Sequence, residues 1–322
     1  MPADMLLEIH NLSVEYRTFD GIVKAVNGLE LRVRPGETVG LVGETGAGKT
    51  TTALAILRLL PPRVGHVTSG EIWFEGKNLL NLSDHEMEGI RGNKISMIFQ
   101  NPLTSLNPVF TVEQQITGVL ARHQRMTGEE AVRRAGDLLE MVGISRNRAK
   151  EYPHQFSGGM RQRVSIAIAL ACNPQLLIAD EPTTALDVTI QAQVLQLMGE
   201  LKKKLSTSII LITHDLGVVA ENCDSVAVMY AGSIVERAPV KELFETPLHP
   251  YTTGLFGSLP DIDVAKKRLQ PIPGSPPDPM LVPAGCAFAP RCSKKTAECD
   301  NVRPVLREVG PNHFVACENA GR

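Results

Sequence analysis

A lysine and two threonines behind a glycine-rich turn carry the first chemistry in this sequence. Residues 43–51 read Gly43, Glu44, Thr45, Gly46, Ala47, Gly48, Lys49, Thr50, Thr51. The spacing is that of a phosphate loop, in which glycines let backbone N–H groups turn inward onto an anion. Lys49 is placed to reach the β- and γ-phosphates of a nucleoside triphosphate, and the Thr50 hydroxyl to hold Mg²⁺. Far downstream, Asp180 and Glu181 close an apolar run. An aspartate there can hold Mg²⁺ through its water shell, and the glutamate beside it can polarise an attacking water. Between these groups, Ser157 offers a helix N-cap, and Gly158 and Gly159 let the backbone approach an anion at the helix start.

Each group needs an element to hold it. Residues 38–42 read as a short buried strand entering the loop. Residues 52–60 read as a helix leaving it, stopped by Pro61 and Pro62. That helix N-terminus adds partial positive charge to the anion site. Residues 6–16 and 25–33 alternate partly with period two, and 70–76 form a further strand, so these predict an antiparallel layer around the nucleotide strand. Residues 94–100 make a buried strand, and from Asn101 to about Pro153 the pattern turns helical, as an inserted subdomain would. Ser157 opens a helix running to Ala171, and 175–180 is apolar enough for a central parallel strand. Helix 188–205, strand 208–213 and a hairpin at 226–230 and 233–236 complete the core. Nine prolines from Pro247 to Pro283 then predict an extended, loop-rich stretch, with a domain boundary near residue 245.

The bulk properties narrow the class. A chain of 322 residues has room for one large domain with an appendage or two modest domains. Hydrophobic residues make up 43% and charged residues 21%, as in a soluble globular protein. A formal net charge of −2 gives no electrostatic case for nucleic-acid binding. No apolar run approaches the roughly 20 residues of a membrane span. The N-terminus lacks the basic and apolar regions of a signal peptide, so a cytosolic, reducing location is expected.

The order of phosphate loop, Gln100, Ser157-Gly158-Gly159-Met160-Arg161-Gln162, Asp180-Glu181 and Thr213-His214-Asp215 resembles the ATP-binding cassette (ABC) family over residues 6–240. The resemblance implies an α/β fold, an ABC-type P-loop ATPase core with an antiparallel β layer and a helical subdomain at about 101–170. This nucleotide-binding domain would span 1–245, followed by a cysteine-containing extension at 246–322. It also implies roles for single residues. Tyr16 would stack on adenine, and Gln100 would contact Mg²⁺ and the attacking water. Ser157, Gly158, Gly159 and Gln162 would close over the γ-phosphate of ATP bound by an opposite subunit. Glu181 would be the catalytic carboxylate, Asp187 would sit in the adjoining loop, and His214 would contact the γ-phosphate. One copy of each motif means that two such domains must pair.

Segments 100–108, 152–155, 180–191, 249–252, 271–277 and 286–292 resemble, more narrowly, the ATPase subunits of dipeptide/oligopeptide importers. The implied partners are two transmembrane permease subunits, a second ATPase subunit of paralogous type, and a substrate-binding protein in the same system. The chain would sit peripherally on the cytoplasmic face of the cell membrane. Leu103 and Leu106, in a proline-bounded loop without an obvious core, are expected to dock the permeases. Related alternatives are an importer of metal chelates, an exporter ATPase, and a soluble cassette ATPase of DNA maintenance. The last usually carries a long coiled-coil insert, yet 56 residues separate Gln100 from Ser157 and no heptads appear.

Cys286, Cys292, Cys299 and Cys317 follow a C-x5-C-x6-C-x17-C spacing. Disulfides are disfavoured in a reducing compartment, free buried thiols are one alternative, and four thiolates suit Zn²⁺ or an iron–sulfur cluster. Zinc ribbons usually show closer Cys pairs, so the wide spacing leans to [4Fe-4S], and the family resemblance points the same way. Cys172 and Cys223 read as packing residues.

Overall fold

The computed structural model describes residues 5–184, 186–258 and 271–320, with the backbone alone for Leu103. Two compact units emerge, one of Met1–Val33, Val39–Leu80 and Thr213–Arg322, the other of Arg34–Thr38 and Asn81–Ile212. The first unit begins with β1 (Leu7–Arg17) and β2 (Ile22–Val33), followed by β3 (Thr38–Val42), α1 (Lys49–Ile56), β4 (Gly65–Phe74) and β5 (Lys77–Asn78). The antiparallel layer has the order β2-β1-β4-β5. Leu7, Ile9, Leu12 and Val14 of its central strand β1 are all fully buried. The step from Ile9 to Leu12 breaks strict alternation. Register shifts against both neighbours take up the extra residue, as a bulge does.

The second unit holds α2 (Asp84–Glu88), β6 (Ile95–Ile98), α3 (Pro102–Ser105), α4 (Val112–Gln124), α5 (Gly128–Met141), α6 (Gly158–Leu170), β7 (Leu176–Asp180), α7 (Val188–Leu205) and β8 (Ser208–Ile212). β7 pairs in parallel with β6 and β8, and all five of its residues are buried, which explains its unbroken apolar run. Thr111 and Gln114 form a capping box that starts α4. The apolar stripe Val112, Ile116, Leu120 of α4 is buried, as is Ala131, Ala135, Leu138, Leu139 of α5. Leu106 corrects one expectation, because it is only 4% exposed. The loop after α3 turns back, with the Leu106 N–H bonding to Pro102 O at 3.3 Å, and the side chain enters the core instead of forming a docking surface. The Leu103 side chain lies outside the described atoms.

The chain returns to the first unit through α8 (Leu216–Asn222), β9 (Ser225–Tyr230), β10 (Ser233–Pro239), α9 (Val240–Glu245), α10 (Pro250–Gly257), β11 (Arg307–Gly310) and β12 (His313–Val315). β9 lies parallel to β3 and antiparallel to β10, and β12 adds to β10 with Val315 opposite Glu236. The proline-rich stretch opens as helix α10 where an extended chain was expected. Pro250 occupies the first turn, where its missing N–H costs nothing, and His249 Nδ1 caps the Tyr251 N–H at 3.0 Å. Residues 271–283 are irregular, and residues 259–270 lie outside the described residues. Glu236 on β10 is fully buried, and its carboxylate accepts from Leu248 N at 2.7 Å, His249 N at 2.9 Å and His313 Nε2 at 2.8 Å. Three donors satisfy a charge that would otherwise oppose folding.

Candidate functional site

In the first unit the phosphate loop joins β3 to α1. Gly43 has φ +154 and Gly48 φ +102, and a Cβ on them would stand 2.1 Å from Met229 O and 2.4 Å from Ala25 O. No L side chain fits either position. Gly48 is the N-cap of α1 and supplies no side-chain acceptor. The helix start thus has no side-chain cap, the arrangement that an anion site at a helix N-terminus uses. Lys49 is 7% exposed, and its Nζ donates to Gly43 O at 2.7 Å and Glu44 O at 3.0 Å, which holds the ammonium at the loop. Thr50 is exposed beside it. Tyr16, at the end of β1, joins its hydroxyl to Thr51 Oγ1 at 3.2 Å, so the aromatic expected on adenine is tied to the loop. His214 is exposed just before Asp215, whose carboxylate caps α8 by accepting from Gly217 N and Val218 N.

The second unit gathers a separate polar group at the end of β7. Asp180 is 2% exposed. Glu181 follows with φ +47, a backbone conformation costly for a side-chain-bearing residue and concentrated at functional sites. Its N–H bonds to Ile212 O at 2.9 Å. Gln100 Nε2 donates to Glu181 Oε2 at 2.8 Å, and Thr184 Oγ1 donates to the same oxygen at 2.9 Å. Two donors thus aim one carboxylate, which suits it to orient a water. Sequence reasoning did not single out Thr184, although it stands one helical turn after Glu181. Ser157 accepts from Met160 N at 3.4 Å and caps α6. A Cβ on Gly158 would meet open space, whereas one on Gly159 would lie 2.6 Å from Ile190 Cγ2, so the approach of α7 excludes a side chain there. Gln162 is 2% exposed with its Nε2 unpartnered among the described residues, so it is not displayed beside Ser157. Asp187 caps α7 by accepting from Ile190 N at 3.0 Å.

All four extension cysteines are free and half-buried. Burial pushes the Cys286 and Cys292 thiols up, and the Cys299 and Cys317 thiols add to the rise of each. Cys286 N donates to Cys299 O at 2.8 Å. Cys299 Sγ accepts from Thr296 N at 3.5 Å and from Asn319 Nδ2 at 3.9 Å. Among the described residues, no three His, Cys, Asp or Glu side chains are arranged to hold a single metal ion. Cys172 and Cys223 are buried.

A family model described as ABC transporter matches residues 26–184, and one described as the oligopeptide/dipeptide transporter C-terminal region matches residues 235–299. The dipeptide transport ATP-binding protein DppD of Bacillus subtilis is 51% identical over 316 residues, covering 98% of this chain and 94% of that protein. The oligopeptide transport ATP-binding protein AppD of the same organism is 53% identical, covering 97% of this chain and 96% of that protein. OppD of Salmonella typhimurium is 48% identical, covering 98% and 94%. Among solved structures, the dimeric ABC transporter cassette MJ0796 in a post-hydrolysis state with ADP and Pi superposes with a TM-score of 0.66 at 30% identity. That alignment covers 73% of this chain and 98% of the cassette.

Proposed function

The chain belongs to the ABC transporter family, in its oligopeptide/dipeptide importer branch, and from that premise we propose that it is the ATPase subunit energising peptide uptake. The observation that carries the ATPase reading is the finished phosphate loop, with its lysine held at the anion position and its helix N-terminus uncapped by any side chain. Lys49 and the loop N–H groups would bind the β- and γ-phosphates and Tyr16 would stack on the base, while Thr50, Gln100 and, through the ion's water shell, Asp180 are the residues that would hold Mg²⁺. Glu181 polarises the attacking water, with Gln100 and Thr184 fixing its carboxylate, and His214 steadies the γ-phosphate. Ser157, Gly158 and Gly159 serve the nucleotide of a second ATPase subunit, a paralogue.

The working assembly adds two permeases on the membrane and a substrate-binding protein. Among the described residues no helix is long and apolar enough to cross a membrane, so attachment falls to those permeases. With Leu106 buried, the docking role passes to the apolar side chains left outside. Val109 is 70% exposed and Phe110 48%. Residues 1–245 serve as the nucleotide-binding domain, with 101–170 as its helical subdomain, and 246–322 as the extension. The extension cysteines suit a [4Fe-4S] cluster. Cys286, Cys292, Cys299 and Cys317 are the thiols that would hold it, all free and half-buried in the extension. The cluster would supply cross-links to a short, irregular segment.

Purifying the chain with its membrane subunits and loading the complex into vesicles tests the reading. ATP should drive uptake of a short peptide. Lys49→Ala should weaken ATP binding by the full chain at least ~100-fold, as losing a buried charge-assisted contact to phosphate does. Undiminished ATP binding, or a complex that hydrolyses ATP without moving peptide, overturns it.

A further inference from the structure

The extension grips the phosphate loop. The N–H of Glu44, the loop's second residue, donates to the Tyr251 hydroxyl on α10 at 3.0 Å. The Glu44 carboxylate receives Arg291 Nη1 on both oxygens, at 3.1 and 3.0 Å. The Arg291 side chain is 7% exposed and that of Glu44 26%, so the ion pair is shielded from water on the arginine side. The same guanidinium bonds to the Tyr230 hydroxyl at 3.3 Å and, through Nε, to Pro273 O at 2.9 Å. It is thereby fixed to β9 and to the proline-rich segment as well as to the loop. That segment has a second hold on the same region, where Lys24 N donates to Pro279 O at 2.9 Å. Pro276, Pro277 and Pro279 also line a cavity of about 130 Å³ shared with Glu44–Ala47.

None of these contacts supplies a group for hydrolysis, yet one leads directly to the lysine. Lys49 Nζ is positioned by the carbonyls of Gly43 and Glu44, so a shift of Glu44 moves the acceptors that aim the ammonium. A carboxylate beside a phosphate site also repels the anion unless a cation compensates it. Arg291 does both, by fixing the loop entry and offsetting its negative charge.

We propose that Arg291 is a positioning residue for nucleotide binding, through which the C-terminal extension braces the phosphate loop at Glu44 and sets its affinity for the triphosphate. This rests on the ATPase reading above. The test titrates ATP against the full-length chain carrying Arg291→Ala, Arg291→Lys, Glu44→Ala or Glu44→Gln, with Lys49→Ala as reference. Arg291→Ala should raise the Kd for ATP about tenfold, within the range of site-to-site couplings. Arg291→Lys, which keeps the charge and loses the two-oxygen contact, should fall between. Arg291→Ala added to Glu44→Ala should cause no further loss, since the effect runs through that carboxylate. A general packing defect would weaken both backgrounds equally, and that result overturns the brace. So does wild-type affinity in a folded Arg291→Ala chain. Should Arg291→Ala fail to fold, Glu44→Gln decides, because it leaves the other Arg291 contacts intact. An unchanged Kd there overturns the proposal, and a severalfold rise supports it. Should the wild-type chain bind no ATP, the ATPase reading fails and the brace with it. Wild-type binding that Lys49→Ala removes and Arg291→Ala does not would fell the brace alone.

Discussion

At the phosphate loop, the geometry that would meet a ligand is carried by the main chain. Gly43 and Gly48 take positive φ where no side chain fits, and the start of α1 lacks a side-chain cap. At the four-cysteine end the backbone does little of this. Cys286, Cys292, Cys299 and Cys317 stand half-buried on short irregular turns, and among the described residues no three metal-ligating side chains are arranged to hold an ion. The loop is a site built before its ligand arrives, because backbone N–H groups cannot be redirected once strand and helix are packed around them. The cysteine end, under the proposed cluster, would be a site that its ligand completes. The difference predicts which changes each region tolerates. Replacing the catalytic carboxylate should spare nucleotide binding and damage chemistry, whereas removing one sulfur should damage the whole cysteine end.

The largest effect that sharpens this contrast comes from Glu181→Gln. The substitution keeps the shape of the side chain and removes its ability to take up charge from water. Turnover should fall by ~10²–10⁴, the usual contribution of a positioned acid–base group. ATP affinity should stay within about threefold of the parent, since the binding groups are untouched. Single-turnover hydrolysis and equilibrium binding on the same preparation read the two separately. Near-normal turnover would show that the carboxylate aimed by Gln100 and Thr184 does not activate the water.

The cysteine end should respond in the opposite way. Cys292→Ser changes one atom, yet iron and acid-labile sulfide should drop from about four of each per chain to near zero in anaerobically prepared protein. ATP binding should persist, weakened severalfold at most through neighbouring Arg291. Stoichiometric zinc without sulfide in the parent protein would exclude a cluster. Four freely titrating thiols in a folded, metal-free chain would exclude any metal centre.

What could be read from the sequence divides along the same line. The glycine spacing at 43–48, the unbroken apolar run of β7 and the cap residues Ser157, Thr111 and Asp187 are local signals, and each specifies its own backbone. The order of motifs gave away the family for the same reason. Contacts made by long-range side chains left no such trace. Glu44 meets Tyr251 across 207 positions and Arg291 across 247, and nothing in the spacing of these residues announces either contact. Both partners nevertheless lie in segments that resemble the peptide importers. Leu106 misled because a proline-bounded loop looks coreless until tertiary packing supplies a core. Pro250 misled because proline signals extended chain in general but suits the first turn of a helix.

A smaller effect tests how the extension is fastened at its root. His249 is 1% exposed, and burial lowers its pKa from 6.5 to about 4. Its ring faces Phe288 at 5.8 Å, and its backbone N–H is held by the Glu236 carboxylate, which also meets His313 Nε2. A histidine held neutral when folded and free to protonate when unfolded favours the unfolded chain in acid. Its contribution is complete above about pH 6.5 and is lost as the pH falls toward 4. The loss runs at up to about 1.4 kcal/mol per pH unit in that window. His249→Asn keeps a side-chain oxygen to cap Tyr251 N–H but cannot protonate. The variant should be less stable at pH 7, because a smaller side chain leaves a gap against Phe288, yet lose less on acidification than the parent. Denaturant unfolding at pH 7, 6 and 5 should give converging curves for the two proteins. Parallel curves would mean that His249 does not set the acid sensitivity of the extension.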